Sequence, residues 1–387
     1  MRVGIVAGEK SGDYLGAQLI EAILAKYPDA EFVGLAGPQM IAAGAVSLAE
    51  MDKISIMGIT AALKGLPQIL SIRKTIKRHM LDWKPDVFVG IDVPDFNLGL
   101  EKNLKQAGIP TVHYVSPTVW AWRSKRIVKI RKAIDLMLTL FPFEKEFYEK
   151  HRTRVAYVGH PLAHEVVNWR LSENVRSLMQ DELSPNKRMI AILPGSRTSE
   201  VTRLAPVMLK AAKIMKENDH SLSFVIPAAN KKLEKILAEM IHEHQVPVKL
   251  LSGFSRDVLG SCYAAVLASG TAALEAALFA KPMVVMYKVA KLEEWYASRT
   301  MLVKHFSMPN HLTDPPVVPE LIQEEATVDS LLNELGSLLT DRAQYSIQKR
   351  ALAEIAPKLL EDSGKLALEA IECLIGGAES AQDRDVC

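Results

Sequence analysis

Short runs of β-branched and apolar residues alternate with longer stretches of helical periodicity through most of this chain, and few architectures accept that pattern. Val3–Ala7, Glu31–Leu35, Val87–Ile91, Thr111–Val115, Leu136–Leu140 and Val155–Val158 read as strands. Tyr14–Tyr27 and Phe96–Ala107 read as helices between them. The scheme then repeats with Met189–Leu193, Ser223–Ile226, Val248–Leu251, Ala264–Ala268 and Met283–Met286. Strands that are apolar at nearly every position must be covered on both faces, which makes their sheets parallel and helix-flanked. Two such series predict an α/β protein built from two Rossmann-like domains. A chain of 387 residues also exceeds what one hydrophobic core usually supports.

The domain break is expected after Gly159-His160-Pro161, in the polar stretch Asn168 to Arg188 that carries Ser172, Pro185 and Asn186. This gives a first domain over residues 1–167, a second over 168–345, and helices with a tail over 346–387 that cross back to the first domain or stay with the second. The end, Glu379 to Cys387, is polar and expected to fray.

Charge is nearly balanced, 47 Lys and Arg against 45 Asp and Glu, so bulk charge gives no support to nucleic-acid binding. No uninterrupted apolar run approaches the ~18 residues that cross a bilayer. Val3–Ala7 is too short for the apolar region of a signal peptide. Cys262, Cys373 and Cys387 lie far apart without C-x-x-C spacing, which argues against a disulfide framework or thiolate metal site and fits a reducing cytosol.

The chemistry-bearing residues gather where strands end, the edge at which open α/β sheets bind ligands. Gly8-Glu9-Lys10-Ser11-Gly12-Asp13 follows the first strand but is neither G-x-x-x-x-G-K-[ST] nor G-x-G-x-x-G, so it reads as a structural turn or as a substrate loop. In Gly90-Ile91-Asp92-Val93-Pro94-Asp95-Phe96-Asn97, proline stiffens a loop between two aspartates. Asp95 or Asn97 suits a helix cap, whereas Asp92, expected to be buried behind the loop, suits a general base. The spacing is D-x-x-D, not the D-x-D of metal-dependent transferases, and Asp383-Arg384-Asp385 lies in the tail. His113-Tyr114-Val115-Ser116-Pro117-Thr118-Val119-Trp120-Ala121-Trp122-Arg123 adds an imidazole, hydroxyls and two indoles. His113, His160, His164, His305 and His311 show no metal-ligand spacing.

Two further turns suit a nucleotide diphosphate. Leu193-Pro194-Gly195-Ser196-Arg197-Thr198 sets a guanidinium beside backbone N–H groups, unless Arg197 merely pairs with Glu200 on the surface. Ala268-Ser269-Gly270-Thr271-Ala272-Ala273-Leu274-Glu275 brings small residues to a helix start, with Glu275 one turn in as a ribose acceptor. The apolar stretch Ile54 to Arg73, followed by Lys74, Lys77 and Arg78, suits either an anionic membrane interface or a buried helix. The basic run Arg123 to Lys132 reads as a solvated helix face that would also suit a phosphorylated acceptor.

Taken in order, these segments resemble the lipid-A-disaccharide synthase family, from Val3 to at least Glu325. The resemblance implies a GT-B type glycosyltransferase that joins UDP-2,3-diacylglucosamine to 2,3-diacylglucosamine 1-phosphate, with a β-1,6 linkage and release of UDP. It makes Asp92 the base. Arg197 would steady the departing UDP, and Ser269, Gly270, Thr271, Glu275 and Asn310 would line the donor pocket. Glu9, Ser11, His113 and Arg123 fall among the substrate contacts. Ile54, Ile56, Met57, Ile59, Leu63, Leu66, Ile69 and Leu70 would touch the membrane. No cofactor, metal or nucleic acid is implied; peripheral association with the cytoplasmic face of the inner membrane is, and a homodimer is left open. One departure is His311-Leu312-Thr313, where the family commonly carries Leu-Leu. A UDP-sugar epimerase of similar build, or a non-catalytic nucleotide or lipid carrier, stands as the alternative.

Overall fold

The computed structural model describes residues 1–54, 59–122, 124–290 and 301–376. Ile56, Met57 and Arg123, the side chains of Ile59 and Leu63, and the tail with Asp383 and Asp385 lie outside the described residues. Two compact units are present: Met1–Pro161 with the chain from Leu359 onward, and Leu162–Lys358. The division thus falls at Pro161, just ahead of the polar stretch where turn-forming composition placed it, because His160 is already tied back by its N–H to the Leu359 carbonyl at 3.0 Å.

The first unit is a parallel seven-stranded sheet in the order β3-β2-β1-β4-β5-β6-β7. Its strands are β1 (Arg2–Ala7), β2 (Glu31–Leu35), β3 (Val46–Ser47), β4 (Val87–Ile91), β5 (Thr111–Tyr114), β6 (Leu136–Thr139) and β7 (Val155–Tyr157). Every residue of β4 and β5 is buried, as strands sandwiched between helices must be. Strand order reverses between β1 and β4, so the loops leaving these neighbours diverge and open a crevice at their carboxyl ends. Register sets the levels: Ala7 lies opposite Ile91, and Ile91 opposite Tyr114, so Gly8, Asp92 and Val115 leave the sheet together.

Around it pack α1 (Lys10–Lys26), α3 (Ile59–Trp83), α4 (Pro94–Gln106), α5 (Ile127–Ala133) and α6 (Pro142–Lys150), with the short α2 (Pro38–Ala42) after β2. The last helix, Ser363–Gly376, lies on α1, where Glu372 accepts from Lys26 Nζ and from Tyr27 Oη at 2.7 Å.

The second unit repeats the plan with six parallel strands in the order β10-β9-β8-β11-β12-β13. These are β8 (Arg188–Leu193), β9 (Leu222–Ala228), β10 (Lys249–Ser252), β11 (Ala264–Ala268), β12 (Met283–Tyr287) and β13 (Glu320–Ile322). Its core joins Ile190, Ile192, Leu204, Phe224, Val266 and Leu335. Helix α9 (Thr198–Asn218) follows β8, α11 (Ser255–Ser261) follows β10, and α12 (Thr271–Leu278) follows β11. Leu193 pairs with Leu267, which sets the turns before α9 and α12 side by side.

The sequence reading missed β3 and β13, which are too short to carry a periodic pattern. Cys262 is a buried free thiol.

Candidate active site

Asp92 leaves β4 in the left-handed region (φ 52), as do Val93 (φ 42) and, at the end of β5, Val115 (φ 78). Side chains disfavour that region, a β-branched valine most of all, so such residues persist only where their surroundings hold them. Here Asn97 holds the turn: buried on the inner face of α4, it donates Nδ2–H to the carbonyls of Asp92 at 2.8 Å and Ile91 at 3.3 Å. Asn97 is therefore a clamp and not the cap of α4, whose N-cap position is held by Val93. Asp92 is half-buried, which corrects the expectation that it sits behind the loop. Its Oδ1 accepts the Val93 N–H at 2.8 Å, and no other side-chain hydrogen bond to it is present among the described residues.

The carboxylate lines a cavity of about 370 Å³ with Pro94, Ser116, Thr118, Trp122 and Arg126. Gly8 lets the β1 loop approach it: a methyl group there would stand 2.7 Å from Val93 and 2.8 Å from Ile54. Glu9, just beyond, is exposed, and partial desolvation followed by the charge of Asp92 holds its carboxyl above the usual range. Glu9 and Asp92 are thus electrostatic neighbours. Ser11 is exposed on the first turn of α1. Asp13 is structural, its carboxylate accepting the N–H groups of Gln39 at 2.9 Å and Met40 at 3.0 Å to cap α2.

His113 does not reach the cavity. It is wholly buried on β5, with Nδ1 2.7 Å from Glu101 Oε1 on α4. Its expected place among substrate contacts is corrected on that ground.

Trp120, in the chain between the cavity-lining Val119 and Trp122, meets another buried acid. Glu144 accepts from the Trp120 indole at 3.0 Å and from the Phe141 N–H at 3.2 Å. Burial, opposed by these bonds, pushes its carboxyl up to about 7. A carboxyl raised from 4.5 to about 7 favours the protonated fold, so its stabilising share is complete below 4.5 and is lost as pH rises through 7. We predict that Glu144→Gln flattens the fall in melting temperature between pH 5 and 8, removing a penalty on the order of 3 kcal/mol. An unchanged pH profile in differential scanning calorimetry would count against it.

The apolar stretch divides. Ile54 is 7% exposed and belongs to the core, with Ile72, Ile76 and Met80 on the inner face of α3 and Ile69 packed against them. Ile54 is therefore not a membrane contact, and Ile69 lies toward the core. Leu66 and Leu70, one turn apart, are 47% and 43% exposed, with Lys74 and Arg78 exposed farther along. Sequence alone left interface and core about even because the segment supplies both.

In the second unit, Gly195 adopts φ +127 and lets Glu200 fold over the turn, where Glu200 Oε2 accepts the N–H groups of Ser196 at 3.0 Å and Arg197 at 3.3 Å. A carboxylate thus occupies the position an anion would take. Arg197 is 80% exposed and, among the described residues, pairs with Glu200 at 3.5 Å, so the surface pairing weighed from sequence is the one present. The start of α12 is open: Gly270 and Thr271 are exposed, nothing lies within 4 Å of where a side chain at 270 would begin, and Ser269 Oγ donates to the Phe306 carbonyl at 2.8 Å. Glu275, one turn in, accepts from Arg256 Nε at 2.6 Å, while Arg256 also meets Glu165 at 2.7 Å. Arg256 escaped the sequence reading; its signal was its place at the first turn after β10, the same carboxyl edge.

Asn310 is corrected outright. Buried in the helix Met308–Leu312, it donates to the Val318 carbonyl and Glu320 and accepts from the N–H groups of Val317 and Val318, so all its polar valences knit the chain before β13.

Among the described residues, no cluster of His, Cys, Asp or Glu could hold a metal ion, and no helix is long and apolar enough to cross a membrane. A family model described as lipid-A-disaccharide synthetase matches residues 3–371. The chain is 44% identical to the lipid-A-disaccharide synthase of Pseudomonas fluorescens over 97% of this chain and 98% of the relative. To that of Azotobacter vinelandii it is 43% identical over 96% and 97%. Among solved structures, UDP-GlcNAc 2-epimerase from Neisseria meningitidis bound to UDP-GlcNAc superposes with a TM-score of 0.61 at 14% identity, covering 96% of this chain and 99% of that one. Trehalose 6-phosphate synthase from Burkholderia multivorans gives 0.62 at 12%, covering 97% and 99%. At such identities these two speak for the fold alone, the two-unit Rossmann-like plan of GT-B glycosyltransferases and epimerases.

Proposed function

The chain belongs to the lipid-A-disaccharide synthase family, and from that premise we propose that it joins UDP-2,3-diacylglucosamine to 2,3-diacylglucosamine 1-phosphate. The observation that carries this reading is the match over nearly the whole chain at more than two-fifths identity, which separates the synthases from the epimerases that share only the fold. In the reaction, the acceptor's 6-hydroxyl gives its proton to Asp92 while its oxygen attacks the anomeric carbon of the donor. The bond from that carbon to the diphosphate breaks with inversion, and UDP leaves with the electron pair.

Asp92 is supported as base by its carboxylate oxygen left open toward the cavity and by the clamped backbone that fixes it. Glu9 keeps a second acidic group beside it for an acceptor hydroxyl. In the second unit, the open start of α12 receives the diphosphate, and Arg197, leaving Glu200, adds a cation to the charge that develops on UDP. Arg256 holds Glu275 in one orientation for the ribose hydroxyls. Incubating the purified chain with both substrates should give UDP and a disaccharide 1-phosphate by mass spectrometry. A folded protein that yields neither, or that epimerises the UDP-sugar, overturns the assignment.

Exposed Leu66 and Leu70, with cations following on α3, support peripheral contact with an anionic bilayer. The double substitution Leu66→Ser, Leu70→Ser should weaken sedimentation with phosphatidylglycerol vesicles roughly tenfold and leave the melting temperature in place, since neither side chain is in the core. Unaltered partitioning would leave α3 with no part in the membrane.

A further inference from the structure

Beside the cavity of Asp92 lies a larger groove of about 720 Å³, within the ~300–1,000 Å³ range of small-ligand sites. The two share Pro94 and Arg126 in their walls, so a molecule seated against Asp92 has this groove as its neighbour. Four cations line it, Lys102, Arg126, Lys129 and Lys132, against the single carboxylate of Asp95. Helix geometry fixes them there: Ile127, Ile130 and Ala133 bury the inner face of α5, which turns Lys129 and Lys132 outward, and Lys102 stands on α4, which packs beside it. Among the described residues Lys102, Lys129 and Lys132 make no ion pair, while Arg126 spends one N–H on Asp95 at 2.9 Å. Asp95 is 91% exposed, so an ion pair of this kind is weak and readily exchanged.

Several like charges around one groove gain little from a neutral sugar hydroxyl and much from a compact dianion, which lysine ammonium groups and an arginine fork bind well. We propose that this groove seats the phosphate monoester of the acceptor sugar, with Arg126 passing from Asp95 to the phosphate. The inference rests on the acceptor reading above. It adds that the acceptor is oriented by two points of one hexose ring, its hydroxyl at Asp92 and its phosphate among the cations of α4 and α5.

The test uses the full chain in neutral detergent micelles, with saturating donor and two acceptors, diacylglucosamine 1-phosphate and the same lipid with the phosphate removed. The wild type should prefer the phosphorylated acceptor by at least roughly tenfold in KM, and Lys129→Ala/Lys132→Ala and Lys102→Ala should each bring that ratio toward one. The donor KM should not follow the change. A ratio that persists in both variants overturns the proposal. If those variants also lose binding to phosphatidylglycerol but not phosphatidylcholine vesicles, the lysines serve the bilayer headgroups instead. Disaccharide formed with an unaltered ratio overturns the groove alone, whereas no disaccharide from the wild type with either acceptor overturns the assigned reaction as well.

Discussion

Asp92→Asn enzyme is expected to form disaccharide roughly 10²- to 10⁴-fold more slowly than the wild type, the range over which a positioned base contributes to rate. Asparagine keeps the oxygen that accepts the Val93 N–H at 2.8 Å, so the strained turn and its clamp by Asn97 should survive. The loss should therefore appear in kcat, with the affinity for UDP in calorimetric titration and the far-UV circular dichroism both at wild-type values. Asp92→Ala should abolish transfer for the same reason, with the added loss of that local hydrogen bond. Turnover within tenfold of wild type in the asparagine variant would remove Asp92 from its role and turn attention to Glu9, its electrostatic neighbour, whose carboxyl is already held above the usual range.

The strain around Asp92 gives this expectation its structural basis. Left-handed backbone at Asp92, Val93 and Val115 costs roughly 1–3 kcal/mol per residue, and the fold carries three such residues on adjacent strand ends. Two of them line the cavity and the third begins the clamped turn, so the strain is spent where the carboxylate is aimed.

Much of this was legible in the sequence because it depends on pattern. Apolar runs gave the strands to within a residue or two, and a parallel sheet then obliges the loops after β1, β4 and β5 in the first unit, and those after β8 and β11 in the second, to leave at the same edge of their own sheet. What stayed hidden depends on partners brought in by tertiary packing. His113 looked like an edge residue, yet it is paired inside the core because α4 lays Glu101 across β5. A signal did exist: Asn97, Leu100, Glu101 and Leu104 recur at helical spacing on one buried face, and an acid on a core stripe announces a buried partner. Asn310 carried no such signal, since its partners are Val317 and Val318 in irregular chain and Glu320 at the start of β13, a grouping that no periodicity describes. Ile54 was misplaced because composition cannot tell which side of a short apolar stretch meets Gly8 and which meets solvent.

The pair formed by His113 and Glu101 carries the second large expected effect, one on stability. Both side chains are 0% exposed and meet at 2.7 Å, with His113 Nε2 and Glu101 Oε2 unpartnered among the described residues. His113→Leu should destabilise the protein by about 3–5 kcal/mol, because it leaves a buried acid without its partner. Glu101→Leu/His113→Leu should recover most of that loss, since a buried pair offsets little more than its own desolvation and apolar side chains of similar size fill the space. Burial raises the Glu101 carboxyl above 4.5, and His113, by charge and hydrogen bond, works to lower it. Without the imidazole the carboxyl rises further. A carboxyl raised in the fold stabilises below its unfolded value and loses that share as pH climbs through its folded value, so the single variant should lie closer to wild type at pH 5 than at pH 8. Denaturant unfolding at both pH values separates the accounts. If the single and double variants fall equally short, by an amount that pH does not change, the two side chains matter as packing volume and the electrostatic account of this core is wrong.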